Sequence, residues 1–382
     1  MTSVSPFVDG PIGEPGNRPM GKIVIDPKMV IALDAARAAA AIYVALFHVL
    51  GERLTGIWQL PFNFGQEAVI VFFLLSGFVI HANERNRVFP PYRFWGRRIR
   101  RIYPTMLAAI AVSAVVLWAQ GTFEQRFKPS ELIGTLLAVQ DVSGLKPGVI
   151  VDSVLGNGPL WSLSYELFFY LIYPAVMWAL VRQPKLTNHL IGLVCCVSFV
   201  LYVLWPNHFA LVTAYFLLWW CGAMAAEAYG RGDFRLRGVG SPLLWLVALT
   251  ALAGGAIVYV GGELKASTFP FLMLRHFAVG LVMLCLAYTV LGRAAANFVA
   301  PAGKTIAWVA SISYGIYVLH VPLLADWSLA TDSWLGLVAA VPVLVRQTPR
   351  LPVVRAYESA MLAPPASPRA GTKRMRPRSP NA

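Results

Sequence analysis

The stretch from Ile31 to Leu50, IALDAARAAAAIYVALFHVL, decides the fold class of this chain. It is long enough to cross a bilayer as an α-helix, since about 20 apolar residues span the hydrocarbon core. It nevertheless carries Asp34, Arg37 and His48, which are costly at membrane depth. Arg37 and His48 are eleven positions apart, close to three full turns, so we expect both side chains on one helix face. The stretch predicts a membrane helix with polar groups along it.

The rest of the chain has the composition of a membrane protein. Of its 382 residues, 57% are hydrophobic and only 13% are charged, which is too apolar for a soluble domain of this size. Nine further apolar segments predict spans at about 67–83, 102–119, 159–181, 189–205, 208–229, 243–260, 269–291, 305–325 and, most weakly, 333–345. We therefore predict an all-α fold, a polytopic helical bundle of about ten transmembrane helices.

The basic residues predict the orientation of this bundle. With the N-terminus in the cytoplasm, 25 Lys and Arg residues fall on the cytoplasmic side and 5 on the outer side. Because cytoplasmic loops carry the excess of Lys and Arg, we expect both termini in the cytoplasm and the protein in the cell (inner) membrane. Topology then explains the net charge of +14, and nucleic-acid binding is not expected. In the longest outer loop, ELIGTLLAVQ (131–140) is too short to span and is expected in the interface or over the bundle.

Two tails flank the predicted transmembrane domain, which covers residues 29–346. Residues 1–28 are rich in Pro and Gly and lack the charged start and apolar run of a signal peptide, so they predict a disordered cytoplasmic tail. Residues 347–382 predict a disordered basic tail. The four cysteines lie in apolar runs without metal or redox spacing and are interpreted as core residues. Neither a metal nor a bound cofactor is expected.

Three ionisable residues on different helices are expected at one depth. In the predicted topology His48, Glu166 and His320 all fall toward the outer ends of their spans. A buried ionisable group is costly unless it is paired or faces a cavity, so the three together indicate a shared polar site. The alternative is that each only hydrogen-bonds a neighbouring helix. Arg275, beside His276, is a weaker candidate because it can reach the interface from a helix end.

Arginines gather at the opposite, cytoplasmic end. Arg37 can hold a phosphate or carboxylate, or can pair with Asp34 in the preceding turn. In RFWGRRIRRIYP (93–104), Arg97 and Arg101 are four residues apart and are expected on one side of a helix. These arginines act either as a signal for membrane orientation or as a phosphate site for a nucleotide-bearing donor.

Five stretches in order carry a family resemblance. They are LDAAR (33–37) with His48, AVIVFFLLSGFVI (68–80), RRIRRIYP (97–104), GPLWSLSYELFFYLIYP (158–174) and SISYGIYVLHVP (311–322). Together they resemble the motifs of the acyltransferase-3 family of integral membrane acyltransferases. The first motif departs from the family pattern, because Ala36 and Ala38 stand where glycines are usual. The resemblance implies ten helices and transfer of an acyl group, usually acetyl, from cytoplasmic acyl-CoA to a hydroxyl of a cell-surface carbohydrate or related acceptor.

The resemblance also implies roles for residues of this chain. The expected site has His48 and Glu166 as catalytic residues, Arg37, Arg97, Arg98 and Arg101 as donor-binding residues, and Asp34, Trp161, Ser162, Tyr314 and His320 as acceptor-side or structural polar residues. Acyl-CoA is then a co-substrate, and the partners are the bilayer and a hydroxyl-bearing acceptor. We expect His48 to act as general base or to hold the acyl group itself, with Glu166 orienting its imidazole.

Two other functions compete with this one. A transporter or flippase would use the same Asp, Arg, His and Glu as a relay through the bundle. The sequence has no evident related halves with interrupted helices, and this favours the enzyme. An inactive scaffold is the third possibility, suggested by the end of the chain, where the apolar run after Trp334 is short and contains Pro342.

Overall fold

The computed structural model describes residues 23–51, 53–261 and 265–347. In this part of the chain, eight helices are long and apolar enough to cross a membrane, and two shorter helices are also apolar. Each of the ten predicted spans coincides with one of these helices. The prediction of a polytopic helical bundle is confirmed, and the chain is a multi-pass membrane protein.

Helices account for most of the described residues. In chain order they are α1 Pro27–Leu50, α2 Gly65–Glu84, α3 Pro91–Ala119, α4 Phe123–Arg126, α5 Pro129–Leu136, α6 Trp161–Arg182, α7 Pro184–Leu204, α8 His208–Gly230, α9 Gly240–Val260, α10 Phe271–Ala287, α11 Val290–Val299, α12 Gly303–His320, α13 Ser328–Thr331 and α14 Trp334–Gln347. One π-helical turn, Val321–Ala325, continues α12.

The central helix is α8, which is buried over most of its length. It meets α2 at two glycines, each of which faces a carbonyl oxygen of the other helix. A Cβ atom at Gly77 would lie 1.9 Å from the carbonyl oxygen of Trp219, and one at Gly222 would lie 2.0 Å from that of Leu74. Small residues at such points let two helix backbones approach closely in a membrane. This contact fixes the position of α2, which contributes to the site described below.

The segment between α3 and α6 folds over one end of the bundle. It contains α5 and two short parallel strands, β1 (Gln140–Asp141) and β2 (Val151–Asp152). The side-chain amide of Gln140 donates to the carbonyl oxygen of Leu160 at 2.8 Å, which attaches the segment to the start of α6. The apolar patch in this segment therefore covers the bundle, one of the two placements expected for it.

The packed part of the chain begins before the boundary predicted for it. Ile23 is buried in one cluster with Phe78. The side chain of Asp26 caps α1 by accepting a hydrogen bond from the backbone N–H of Lys28 at 2.8 Å. Ile23 is thus packed on the bundle and α1 begins at Pro27, within the stretch that was predicted as a disordered tail. The remainder of that tail lies outside the described residues.

The weakest predicted span forms a helix, α14. It has 14 residues and contains Pro342, so it is shorter than the roughly 20 residues that cross a bilayer. Ala340 and Leu344 are buried, and one face of α14 therefore packs on the rest of the bundle. Residues 348–382 of the predicted C-terminal tail lie outside the described part of the chain.

Candidate active site

Arginines from two helices line a cavity of about 460 Å³ at one end of the bundle, which we call the arginine cavity. Arg37 comes from α1, and Arg97, Arg100 and Arg101 come from α3. The spacing of the three α3 arginines places them on one face of that helix. Arg37 also forms an ion pair with Asp34 at 3.1 Å, so pairing with Asp34 and facing the cavity are compatible.

Arg98 does not line the arginine cavity. Its guanidinium is buried 5.7 Å from the ring centroid of Phe94 and 5.9 Å from that of Tyr170. Its Nη2 donates to Oε1 of Glu84 at 2.6 Å, and Arg97 donates to the same carboxylate at 2.5 Å. Arg98 is thus packed near Phe94 and Tyr170, whereas its neighbour Arg97 lines the cavity. The predicted donor contact of Arg98 is corrected to a structural pairing with Glu84.

Glu166 lies in the arginine cavity and not beside His48. Its Oε1 accepts hydrogen bonds from the hydroxyls of Ser76 at 2.6 Å and Tyr170 at 2.5 Å. The sequence placed Glu166 and His48 together because of their similar depth, but depth does not decide which neighbour a helix face meets. Among the described residues, this carboxylate forms no hydrogen bond with His48. The expectation that Glu166 orients the imidazole is therefore corrected.

His48 lines a second cavity, of about 540 Å³, which we call the histidine cavity. The ring of His320 lies next to it, with the two ring centroids 5.2 Å apart. His320 is fully buried, and its Nδ1 lies 3.1 Å from the carbonyl oxygen of Ile316. Because a carbonyl only accepts, Nδ1 carries the hydrogen of the neutral ring. Its Nε2 is then an acceptor, and no described residue donates to it.

An ion pair also lines the histidine cavity. Nη2 of Arg275, on α10, lies 2.6 Å from Oε1 of Glu67, on α2. Arg275 was the weaker candidate in the sequence, and the structure places it in the same cavity as His48. Glu67 was missed, although an acidic residue in the first turn of a membrane helix is a signal for a polar site.

The residues expected on the acceptor side divide between the two cavities. Trp161 lines the histidine cavity, whereas Ser162 and Tyr314 line the arginine cavity. Asp34 lies with Arg37. Helices α6 and α12 each contribute residues to both cavities, so neighbouring residues on one helix can line different cavities. The structure thus does not bring these acceptor-side or structural polar residues together in one cavity.

A buried ion pair behind Trp161 was also missed. Nζ of Lys146 lies 2.6 Å from Oδ1 of Asp141, and both side chains are fully buried. The ammonium group lies 3.9 Å from the ring centroid of Trp161, and the hydroxyl of Tyr165 donates to Asp141 at 2.6 Å. Burial lowers the pKa of Lys146, and the charge of Asp141 opposes that shift. Neither residue belongs to a sequence motif that would have identified it.

Comparison with known proteins places the chain in a family. A family model described as an acyltransferase domain matches residues 30–346. The chain is similar to the acyltransferase MdmB of Streptomyces mycarofaciens, with 35% identity over 39% of this chain and 38% of that protein. It is similar to the O-acetyltransferase OatA of Staphylococcus aureus, with 30% identity over 42% of this chain and 27% of that protein.

A third relative covers more of the chain. The peptidoglycan O-acetyltransferase OatA of Listeria monocytogenes is 25% identical over 78% of this chain and 50% of that protein. The chain thus spans at most half of the length of these three relatives. No solved structure gives a significant match. Since the family model covers most of the chain, including both cavities, the chain belongs to the acyltransferase-3 family of acyltransferase domains, as the five motifs predicted.

Proposed function

We propose that this protein is a membrane O-acyltransferase that moves an acyl group, acetyl in the simplest case, from acyl-CoA to a hydroxyl group of an acceptor. The observation that carries the proposal is the arrangement of the two cavities. Four arginines line one cavity and His48 lines the other, and the two share Tyr317 as a wall residue. A donor with phosphates at one end and a reactive thioester at the other fits this arrangement.

The arginine cavity has the chemistry for the phosphates of coenzyme A. Guanidinium groups bind phosphate oxygens with paired, charge-assisted hydrogen bonds. Arg97 is held by Glu84 and Arg37 by Asp34, and this pairing fixes their side chains before a ligand arrives. Arg100 and Arg101 are exposed at the mouth of the cavity. With the orientation predicted from the basic residues, the mouth opens to the cytoplasm, where acyl-CoA would enter.

The histidine cavity supplies the base for the transfer. A neutral imidazole at His48 would take the proton of the acceptor hydroxyl while the hydroxyl oxygen attacks the thioester carbonyl carbon. A carbon–oxygen bond forms, the carbon–sulfur bond breaks, and the proton passes from His48 to the departing thiolate, so that free coenzyme A leaves. His320 would stand behind His48 and keep its ring in place through the contact of the two rings.

The relatives and the position of the cavity support one class of acceptor. One relative is named a peptidoglycan O-acetyltransferase, and peptidoglycan is a cell-surface carbohydrate polymer. The predicted orientation places the histidine cavity at the outer side, where such carbohydrates lie. We therefore propose a cell-surface carbohydrate, or a related hydroxyl-bearing molecule, as the acceptor and the cell membrane as the location. Membership of an acyltransferase family favours this function over a transporter or flippase.

The test is transfer of labelled acetyl from acetyl-CoA in membranes that contain the full chain. The His48→Ala variant should lose transfer while it remains membrane-inserted, because the base is removed. A matched control is His189→Ala, which changes an exposed histidine on α7 and should leave transfer unchanged.

Two results would contradict the proposal. Retained transfer in His48→Ala would remove His48 from the chemistry. Absence of labelled product from the wild-type chain, with every cell-envelope fraction supplied as acceptor, would contradict the activity itself.

A further inference from the structure

A thin wall of side chains separates the arginine cavity from the histidine cavity. Among the described residues that line them, Tyr317 alone lines both. It is buried on α12, between the arginines at one end and His48 at the other. An acyl group that travels from the first cavity to the second must pass this residue.

Hydrogen bonds on both sides hold Tyr317 across the passage. Its hydroxyl donates to the carbonyl oxygen of Pro159 at 2.8 Å, and Pro159 lines the histidine cavity. The same hydroxyl lies 2.8 Å from Oγ of Ser162, which lines the arginine cavity. Since the tyrosine proton goes to the carbonyl, the serine hydroxyl is the donor in this second bond. The hydroxyl of Tyr317 is therefore held by one residue from each cavity.

Aromatic contacts complete the wall. The ring of Phe72, in the arginine cavity, meets Tyr317 edge-on with centroids 5.4 Å apart. Phe73 also lines the arginine cavity, and its ring meets Trp161 of the histidine cavity at 6.0 Å. Close-packed aromatic rings tolerate little extra volume without strain. Any passage from one cavity to the other is thus bounded by these packed rings.

We infer that Tyr317 determines which acyl groups this enzyme accepts, by limiting passage from the arginine cavity to the histidine cavity to short acyl chains such as acetyl. The inference rests on the proposed acyl transfer and goes beyond it by naming the acyl class and the residue that selects it. A longer chain would have to displace the ring of Tyr317 and break its bonds to Pro159 and Ser162. A pocket distinguishes substrates that differ by one methylene by about 10- to 200-fold, so an acyl group several methylenes longer than acetyl would be strongly disfavoured.

The test compares acetyl-CoA with hexanoyl-CoA as donors in membranes that contain the full chain. The measured quantity is the release of coenzyme A thiol that depends on His48, expressed as the ratio of the hexanoyl rate to the acetyl rate. The wild-type chain should have a low ratio. Tyr317→Ala and Tyr317→Leu should each raise the ratio at least about 10-fold, because both remove the ring from the passage.

Tyr317→Phe is the matched control. It removes the two hydrogen bonds and keeps the ring, so its ratio should rise less than the ratios of the alanine and leucine variants, whatever happens to its overall rate. The ratio is independent of how much protein folds, and the leucine variant keeps a bulky apolar side chain in a buried position in case the alanine variant does not fold.

The outcomes separate this inference from the proposed function. Acetyl turnover by the wild-type chain with an unchanged ratio in both the alanine and leucine variants would overturn the role of Tyr317 and leave the acyltransferase standing. A wild-type chain that already accepts both donors equally would also overturn it. No His48-dependent turnover of acetyl-CoA would overturn both.

Discussion

The buried pair of Lys146 and Asp141 gives a sharp prediction about stability. In Lys146→Met the carboxylate of Asp141 loses its counter-charge. It keeps two hydrogen bonds, from the hydroxyl of Tyr165 at 2.6 Å and from the backbone N–H of Val142 at 2.7 Å. Removing one partner of a buried ion pair costs about 3–5 kcal/mol, and the remaining bonds place this variant near about 3 kcal/mol.

The opposite change should cost more. In Asp141→Asn the ammonium group of Lys146 loses the negative charge beside it. Its other close polar neighbour is the hydroxyl of Tyr165, at 3.3 Å, and the faces of Trp161 and Tyr215 only partly compensate. We expect a loss near the upper end of the range, about 5 kcal/mol. The double variant should lose less than the sum of the two, because the groups act as a pair.

Equilibrium unfolding of the purified chain in mixed micelles measures these losses, with tryptophan fluorescence as the signal. Trp161 beside the ammonium is one of the 12 tryptophans of the chain, so this signal reports the unfolding of the chain as a whole. Lys128→Met is the matched control, because Lys128 pairs with Glu131 in the same segment between α3 and α6 but is exposed; it should show no measurable change. The buried pair would be refuted if the loss of unfolding free energy in the double variant equalled the sum of the two single losses. A Lys146→Met variant as stable as the control would also refute it.

Three further predictions concern the site and the bundle. Arg101→Gln should raise the KM for acetyl-CoA about 10- to 100-fold, because it removes one charge-assisted hydrogen bond to the donor. Arg182 is an exposed arginine at the end of α6, so Arg182→Gln should leave the KM unchanged in the same kinetic assay. Gly77→Ala should sharply reduce the yield of folded protein in size-exclusion chromatography, because its Cβ would meet a carbonyl oxygen at 1.9 Å; Gly254→Ala, with nothing within 4 Å, should behave as the wild type. His320→Ala should lower kcat at least about 10-fold without changing the KM for the donor, since it removes the ring that contacts His48, the proposed base, and His320 lies outside the arginine cavity. A change in KM alone would contradict this placement.

Much of the fold was predictable because membrane helices depend mainly on local composition. A run of about 20 apolar residues cannot satisfy its backbone in lipid except as a helix, and all ten predicted spans are helices. The same reasoning fails at boundaries. Ile23 is buried through contacts with distant residues such as Phe78, and no property of the local sequence indicates them.

The site was predictable as a set of residues and less so as an arrangement. Helical spacing does not separate Arg98 from the other arginines, because Arg98 and Arg101 lie about 60° apart, as Arg97 and Arg100 do. The burial of Arg98 near Phe94 and Tyr170 depends on how α3 packs against α6. The spacing of residues along one helix does not show which neighbouring helix each face contacts. The sequence therefore predicted Glu166 beside His48, whereas its carboxylate accepts hydrogen bonds from Ser76 and Tyr170.

Other features have no local signal at all. The pairing of Lys146 with Asp141 depends on how the segment between α3 and α6 folds over the bundle. The same is true of the wall at Tyr317, which arises from three helices, α2, α6 and α12, meeting at one point. Long-range packing determines both, and neither is encoded in the spacing of residues along one helix.

The sidedness of donor use tests the central claim most directly. The full chain is reconstituted in sealed vesicles, and its orientation is read from an Arg182→Cys variant labelled with a membrane-impermeant maleimide. The vesicles receive acetyl-CoA, which does not cross the bilayer, on one side only. We predict turnover of acetyl-CoA only when it is supplied on the side of the arginine cavity, with loss of that turnover in His48→Ala. Equal turnover from either side, or turnover only from the side of the histidine cavity, would contradict the account.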